Sequence, residues 1–512
     1  PAMKPFGRTW PPNGAEPFVV GLICALFALF LGAHYGVSDQ NLYLLSGIRT
    51  DDPLFLKLEW YVAETVHHHA AFSFLVAALR RVGPLAWTSA ALYLLLKAGI
   101  AVSAYAALRA LYDRPLLPFL IAAPLLHLAV GAPRLLSHPF LVPWLIPSGI
   151  ATALALAGVS ALAGAGPDRL ARCALSGALF GLSGLFHGTF LFMVPLFLAG
   201  IAAALPGRFS ARELVAFGVP FLAVALPAGW AVAARFDFGG TGLGRLDALL
   251  RFRVPHHHLP RTWGWEGFAL FAKHAILGGI GLGMAWPKAA RAPVVLAAAA
   301  ALSGLFLFVF FCTVVLFVPQ IATLQPFHFI SMLSYFCLLF FAGAAAREVE
   351  VGSEPLSAPR IRRLVLLGAG LCVAVWANPI VGAALAAMLG LCLAGARGWF
   401  PVRSYPRFAR RLLTVGVTLF LGSVAGFCLP LSTAFFDPGQ PASGVVRWVR
   451  EKTPPRILAT LAPSEAESDL YRWAKAESPA DAIFVVPLEL ERFRLRAERA
   501  IVVDWKGLPY RA

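Results

Sequence analysis

Uncharged apolar runs of about twenty residues, separated by short turns that hold most of the charge, recur along the chain as far as position 432. The run from Pro17 to Tyr35 carries no charged side chain in 19 residues. At a rise of ~1.5 Å per residue it matches the ~30 Å hydrocarbon layer of a bilayer. Further spans are expected at about 86–108, 116–132, 140–164, 171–187, 188–206, 214–234, 267–286, 292–318, 328–346, 364–377, 379–396 and 412–432, about thirteen in all. Residues 36–85 interrupt the pattern. They are too polar for a span through Asp51, Asp52, Lys57, Glu59 and Glu64, then become amphipathic from Ala70 to Gly83, which predicts one or two short helices along the outer interface. A second outer loop, 235–266, is too long to be a mere connection.

Beyond position 432 the periodicity changes. An amphipathic helix, a turn at Ser478-Pro479-Ala480-Asp481, a buried strand Ala482 to Val486 and a pairing strand Ala500 to Asp504 predict a small α/β appendage. It is too small to fold well alone and is expected to dock on the outer helix ends. The expected division is a transmembrane domain over 1–432 and an extracytoplasmic appendage over 433–512, in an otherwise all-α polytopic membrane protein.

Composition excludes a soluble globule: 59% of residues are hydrophobic, 13% are charged, and mean hydropathy is +0.73. The 43 Lys and Arg against 26 Asp and Glu give a net charge of +17. In a soluble chain that surplus would point to nucleic acid, but here the cations fall in turns between spans and act as topology signals, so no nucleic-acid partner is expected. Lys4 and Arg8 ahead of the first span place the N-terminus in the cytoplasm, and the odd span count places the C-terminus outside, in the periplasm of a bacterial inner membrane. The seven cysteines lie in or beside apolar runs without a CxxC pair, which predicts neither a disulfide framework nor a thiolate metal site.

Asp39 then sits at the outer exit of the first span, where an ionised carboxylate needs water, a cation or a polar substrate to solvate it. The bland alternative is a solvated aspartate that ends a helix. All twelve histidines fall at predicted outer ends or in outer loops, which points to an outer cavity lined by imidazoles. Two clusters stand out: His67-His68-His69 after the acidic first loop, and Arg251 to Arg261, which contains Arg253, His256 and His257. The cations and imidazoles suit a phosphate or diphosphate. Asp39, His256 and His257 instead offer ligands for a divalent cation, although consecutive histidines diverge in direction. The remaining reading is interfacial polar residues solvated by headgroups. Gln325 and His328, at the head of a late span, are candidates for the same cavity, or else incidental caps of a proline-started helix. In the tail, Phe493-Arg494-Leu495-Arg496 fits an adhesive between appendage and membrane domain better than a sugar platform.

The pattern resembles the GT-C class of membrane glycosyltransferases. The likeness lies in a first span ending at Asp39, an outer loop of interfacial helices, Pro255-His256-His257 in the long outer loop, Leu324-Gln325-Pro326 before a late span, and the spacing of Trp473 to Lys506 in the tail. It covers most of the chain as architecture and about a tenth as motif. It implies a GT-C-like fold and a donor sugar carried on a polyprenyl phosphate, transferred to a glycan or protein acceptor in building the cell envelope. It also implies Asp39 as general base and the basic loop as the phosphate site. Asp39 stands alone, where relatives carry paired acids, and His328 occupies a place where an arginine would be expected. The alternatives are a transporter or flippase of a lipid-linked or anionic solute, and a non-catalytic assembly subunit. No internal repeat supports transport.

Overall fold

The computed structural model describes residues 20, 35–36, 38–64, 69–128, 144–164, 168–233, 259–262, 264–289, 292–350, 357–377, 465–487, 490 and 492–502. Three helices follow the first predicted span: α1 (Ser38–Asp51), α2 (Trp60–Glu64) and α3 (Ala70–Val82). The bundle continues as α4 (Leu85–Leu111), α5 (Leu116–Leu128), α6 (Pro147–Ala163), α7 (Arg169–Phe186), α8 (Gly188–Ala204) and α9 (Ala211–Ala233), then α10 (Gly264–Ala289) and α11 (Pro293–Phe310). Among the described residues, four stretches are long and apolar enough to cross a membrane: Leu85–Leu111, Ala211–Trp230, Pro293–Val315 and Phe327–Glu348. Pro147–Ala163 and Gly188–Ala204 are shorter apolar helices. Leu214, Val219, Leu222, Leu226 and Trp230 are exposed along α9, an outward apolar stripe that water would not tolerate and lipid would. The chain is a multi-pass, predominantly helical membrane protein.

The helix starts are set locally. Asp168 caps α7 by accepting from Ala171 N at 3.1 Å. Ser210 and Glu213 form a reciprocal capping box at the start of α9, Ser210 N donating to Glu213 Oε2 at 2.7 Å and Glu213 N to Ser210 Oγ at 3.3 Å. Packing is closest where side chains vanish: a Cβ on Gly177 would lie 2.0 Å from Phe217 O, so α7 and α9 meet backbone to backbone. The stretch Phe327–Glu348 is the centre of the bundle, with 94% of its apolar window buried.

Several boundaries differ from expectation. The span predicted from 140 begins at Pro147, because Trp144 to Ile146 are non-helical and proline suits the first helical turn. The segment 347–363 between two predicted spans is helical at both ends, as far as Glu350 and again from Ala358 in α15 (Ala358–Ala377), where Arg360 and Arg363 approach the buried Glu348 at 4.0 and 2.5 Å. The chain between the ninth and tenth predicted spans is a broken helix. A π-helical turn (Phe311–Val315) leads to α12 (Pro319–Thr323), α13 (Phe327–Ile330) and α14 (Met332–Glu350). Phe317 and Gln325 take left-handed backbone at φ 47° and 51° in the breaks. Irregular backbone of this kind persists near a membrane only where protein or a cavity satisfies it. Here Thr189 Oγ1 donates to Leu324 O at 2.5 Å.

The tail comprises α16 (Glu465–Glu477), β1 (Ile483–Phe484), α17 (Phe493–Ala497) and β2 (Ala500–Ile501), the two short strands pairing in parallel. Tyr471, Ala474, Phe493, Ala497 and Ile501 form its core. The first strand is not buried as expected: helices cover only one face, so Ile483 and Val485 are 52% and 86% exposed. Arg499 closes α16, its guanidinium donating to Lys475 O and Ser478 O, each at 2.7 Å. The predicted domain boundary near 432 and the spans at 379–396 and 412–432 lie outside the described residues.

Candidate functional site

Asp39 lies in the first turn of α1, half-buried, where the positive end of the helix dipole favours a carboxylate. The chain enters this helix through Gly36, at φ 71°, whose N–H donates to Gln40 Oε1 at 2.7 Å. Gln40 and Asn41, beside Asp39, are both buried, so polar side chains at this helix start pack into the protein. Tyr43 is one turn on from Asp39 and shares its helix face.

From Tyr43 a row of rings crosses three elements far apart in sequence. The Tyr43 ring meets His69 edge-on at 5.1 Å between centroids, His69 lies 5.0 Å from His187, and His187 stacks on His328 at 5.2 Å with 30° between planes. His69 precedes α3, and its Nδ1 is 3.1 Å from Phe186 O. His187 is the single residue between α7 and α8. His328, in α13, is 4% exposed. Gln325 holds the break before α13, accepting from His328 N at 3.1 Å. The segment before α3, the α7–α8 turn and the broken helix therefore meet on the side toward which the Asp39 face of α1 looks.

The predicted site residues are distributed unevenly. Asp39, Gln325 and His328 belong to this end of the molecule. Of Arg261 the backbone is described, in a 3-10 turn (Pro260–Thr262) that packs on the π-helical turn Phe311–Val315 and so approaches the broken helix. His67, His68, Arg251, Arg253, His256 and His257 lie outside the described residues. No cluster of three metal-ligating side chains occurs among the described residues; the alternative set Asp39, His256 and His257 falls partly outside them. His69 belongs to the His67-His68-His69 cluster that the sequence marks, whereas nothing in the sequence marks Tyr43. The signal for His187 is the confinement of histidines to predicted outer ends.

The tail closes one side of this region. Arg494 Nη1 donates to Glu59 Oε1 at 2.7 Å, with 1% and 3% of the two side chains exposed. Glu59 Oε2 also accepts from Val62 N at 2.6 Å, capping α2. Leu495 joins the apolar cluster of α1 and α3, and the Arg496 guanidinium lies 5.1 Å from the Tyr35 ring centroid. The reading of Phe493 to Arg496 as an adhesive agrees with these contacts.

A family model described as a domain of unknown function (DUF6798) matches residues 465–512, the docked tail. No curated protein matches the chain. Among solved structures, ArnT from Cupriavidus metallidurans bound to undecaprenyl phosphate is similar over 96% of this chain and 86% of its own, at 16% identity and a TM-score of 0.48. The apo oligosaccharyltransferase of Archaeoglobus fulgidus is similar over 97% of this chain at 12% identity and a TM-score of 0.45, and the chain spans 65% of its length. The oligosaccharyltransferase AglB of Archaeoglobus fulgidus, in complex with an inhibitory peptide and a dolichol-phosphate, gives 12% identity and a TM-score of 0.45, over 95% of this chain and 64% of that one. The class that the helices themselves define is a multi-pass membrane protein with a row of stacked histidines at one end and a C-terminal segment docked near it.

Proposed function

We propose that this protein is a GT-C-type membrane glycosyltransferase, with Asp39 as general base, that moves a sugar from a polyprenyl-phosphate donor to a glycan or protein acceptor. The observation that carries the reading is the convergence of Asp39's helix face with His69, His187 and His328, contributed by three separate parts of the chain. A carboxylate and a bank of imidazoles at one end of an apolar bundle are the two functions the transfer needs. In the reaction the acceptor hydroxyl attacks the anomeric carbon, the bond from that carbon to the phosphate oxygen breaks, and Asp39 takes the hydroxyl proton. The lipid phosphate leaves with the bonding electrons. A carboxylate of ordinary pKa suffices, because the proton departs late, once the oxocarbenium-like carbon is being trapped. The imidazole row, with Arg251, Arg253, His256, His257 and Arg261 of the long loop and His67 and His68 of the first, would stabilise the leaving phosphate. In this reading the site and the tail face the periplasm and the N-terminus faces the cytoplasm.

The test is sugar transfer in membranes containing the Asp39→Asn variant. A loss of about a hundredfold or more is expected for removal of a general base, with expression and melting temperature unchanged. Transfer at the wild-type rate in a folded Asp39→Asn protein would remove Asp39 from the mechanism.

A further inference from the structure

A polar cavity lies at the end of the bundle away from Asp39. α4 starts beside the α1–α3 pair and runs for 27 residues, so its far end, Tyr112 to Arg114, is about 40 Å from the Asp39 end at ~1.5 Å per residue. There a cavity of about 210 Å³ opens between the α4–α5 turn and α14, lined among others by Tyr112, Asp113, Arg114 and Arg347. In the sequence these charges serve only as topology signals on two distant turns, yet the fold puts them around one space.

We infer that this cavity binds an anionic phosphate group, carried by a lipid headgroup or free in solution, through Arg114, Arg347 and the Tyr112 hydroxyl. Tyr112 is 6% exposed, and its hydroxyl is buried without a partner among the described residues, an arrangement that folded proteins rarely leave uncompensated. Burial pushes its ionisation above the ordinary range, opposed by Arg347, so the phenol stays a neutral donor. Arg347 is held in place by donating through Nη1 to Met284 O at 3.2 Å, which leaves the rest of its planar fork of donors to the cavity it lines. Arg114 stands exposed at the rim. Two guanidinium groups against the one carboxylate of Asp113 leave a positive balance, and α5 begins at Leu116, presenting its N-terminal end to the same space. The location at the end of apolar helices is headgroup depth, where basic pockets between helices take phosphate headgroups.

The experiment uses the full chain purified in detergent, with phosphatidylglycerol binding read by native mass spectrometry and inorganic phosphate binding read by thermal shift. Arg114→Gln should weaken binding about tenfold, the scale of one lost charge-assisted contact, and Asp113→Asn should strengthen it. Arg114 is exposed, so the first variant should melt as the wild type does. Phosphatidylglycerol retention that follows this order identifies a lipid headgroup as the source; a response to inorganic phosphate alone, in the same order, identifies a soluble phosphate. Binding of neither, or binding indifferent to both substitutions, overturns the inference.

Discussion

Arg494 and Glu59, 435 positions apart, form an ion pair of 2.7 Å from which solvent is almost wholly excluded. Burying two charges is costly, and hydrogen bonds beyond the pair offset that cost, among them the one Glu59 accepts from Val62 N. The pair fixes the tail to the segment between α1 and α2. Removing one partner takes the opposite charge away from the other in a place from which solvent is excluded. Arg494→Met should therefore lower stability by about 3–5 kcal/mol and expose residues 465–502 to limited proteolysis. Arg494→Met combined with Glu59→Leu should recover most of that loss in thermal melts, because the uncompensated charge is gone. A double variant no better than the single one would count against the pair as the tail's anchor.

The crossing of α1 and α3 depends on the absence of a side chain at position 47. A Cβ there would lie 2.3 Å from Val76 Cβ, so one of the two helices would have to shift. Gly47→Ala should cost about 1–3 kcal/mol by overpacking. Adding Val76→Ala should restore part of it, a coupling that a double-mutant cycle of melting temperatures would detect.

His187 has two separable roles, a ring that stacks on His328 and nitrogens that can donate or accept. His187→Phe keeps the ring and His187→Ala keeps neither. The melting temperature should fall mainly in the alanine variant, while sugar transfer should fall at least about tenfold in both. Equal activity in His187→Phe and wild type would make the row a packing feature.

Tyr471 in the tail is 3% exposed and donates to Glu467 Oε1 at 3.4 Å. Burial first, and the Glu467 charge second, push its ionisation up to about 12 from 10.0. A raised folded-state pKa means that the contribution to stability is complete below pH 10 and is lost as pH rises toward 12. Tyr471→Phe should flatten that part of the stability profile, read by thermal melts between pH 9 and 12; an unchanged profile would place the phenol in solvent.

The apolar spans could be read from the sequence because hydrophobic length is a one-dimensional property, and α4, α9 and α11 fall close to where hydropathy puts them. The broken stretch 311–331 could not. Pro319 and Pro326 mark helix starts, but the left-handed turns at Phe317 and Gln325 are held by distant contacts such as Thr189 with Leu324. Asp39 was legible as a charge at the end of an apolar run. The histidine that links the first loop to the rest is His69, which runs of adjacent histidines do not distinguish, since only the fold decides which of three diverging rings meets His187. Glu59 and Arg494 carried no mutual signal, because one sequence holds no record of which loop a tail will meet.

If Asp39 and the imidazole row form one substrate site, a cryo-EM structure of the protein with a polyprenyl phosphate will show phosphate density at the Asp39 end, beside α1 and within reach of His69, His187 or His328. A well-occupied lipid phosphate elsewhere, with that end empty, would contradict it.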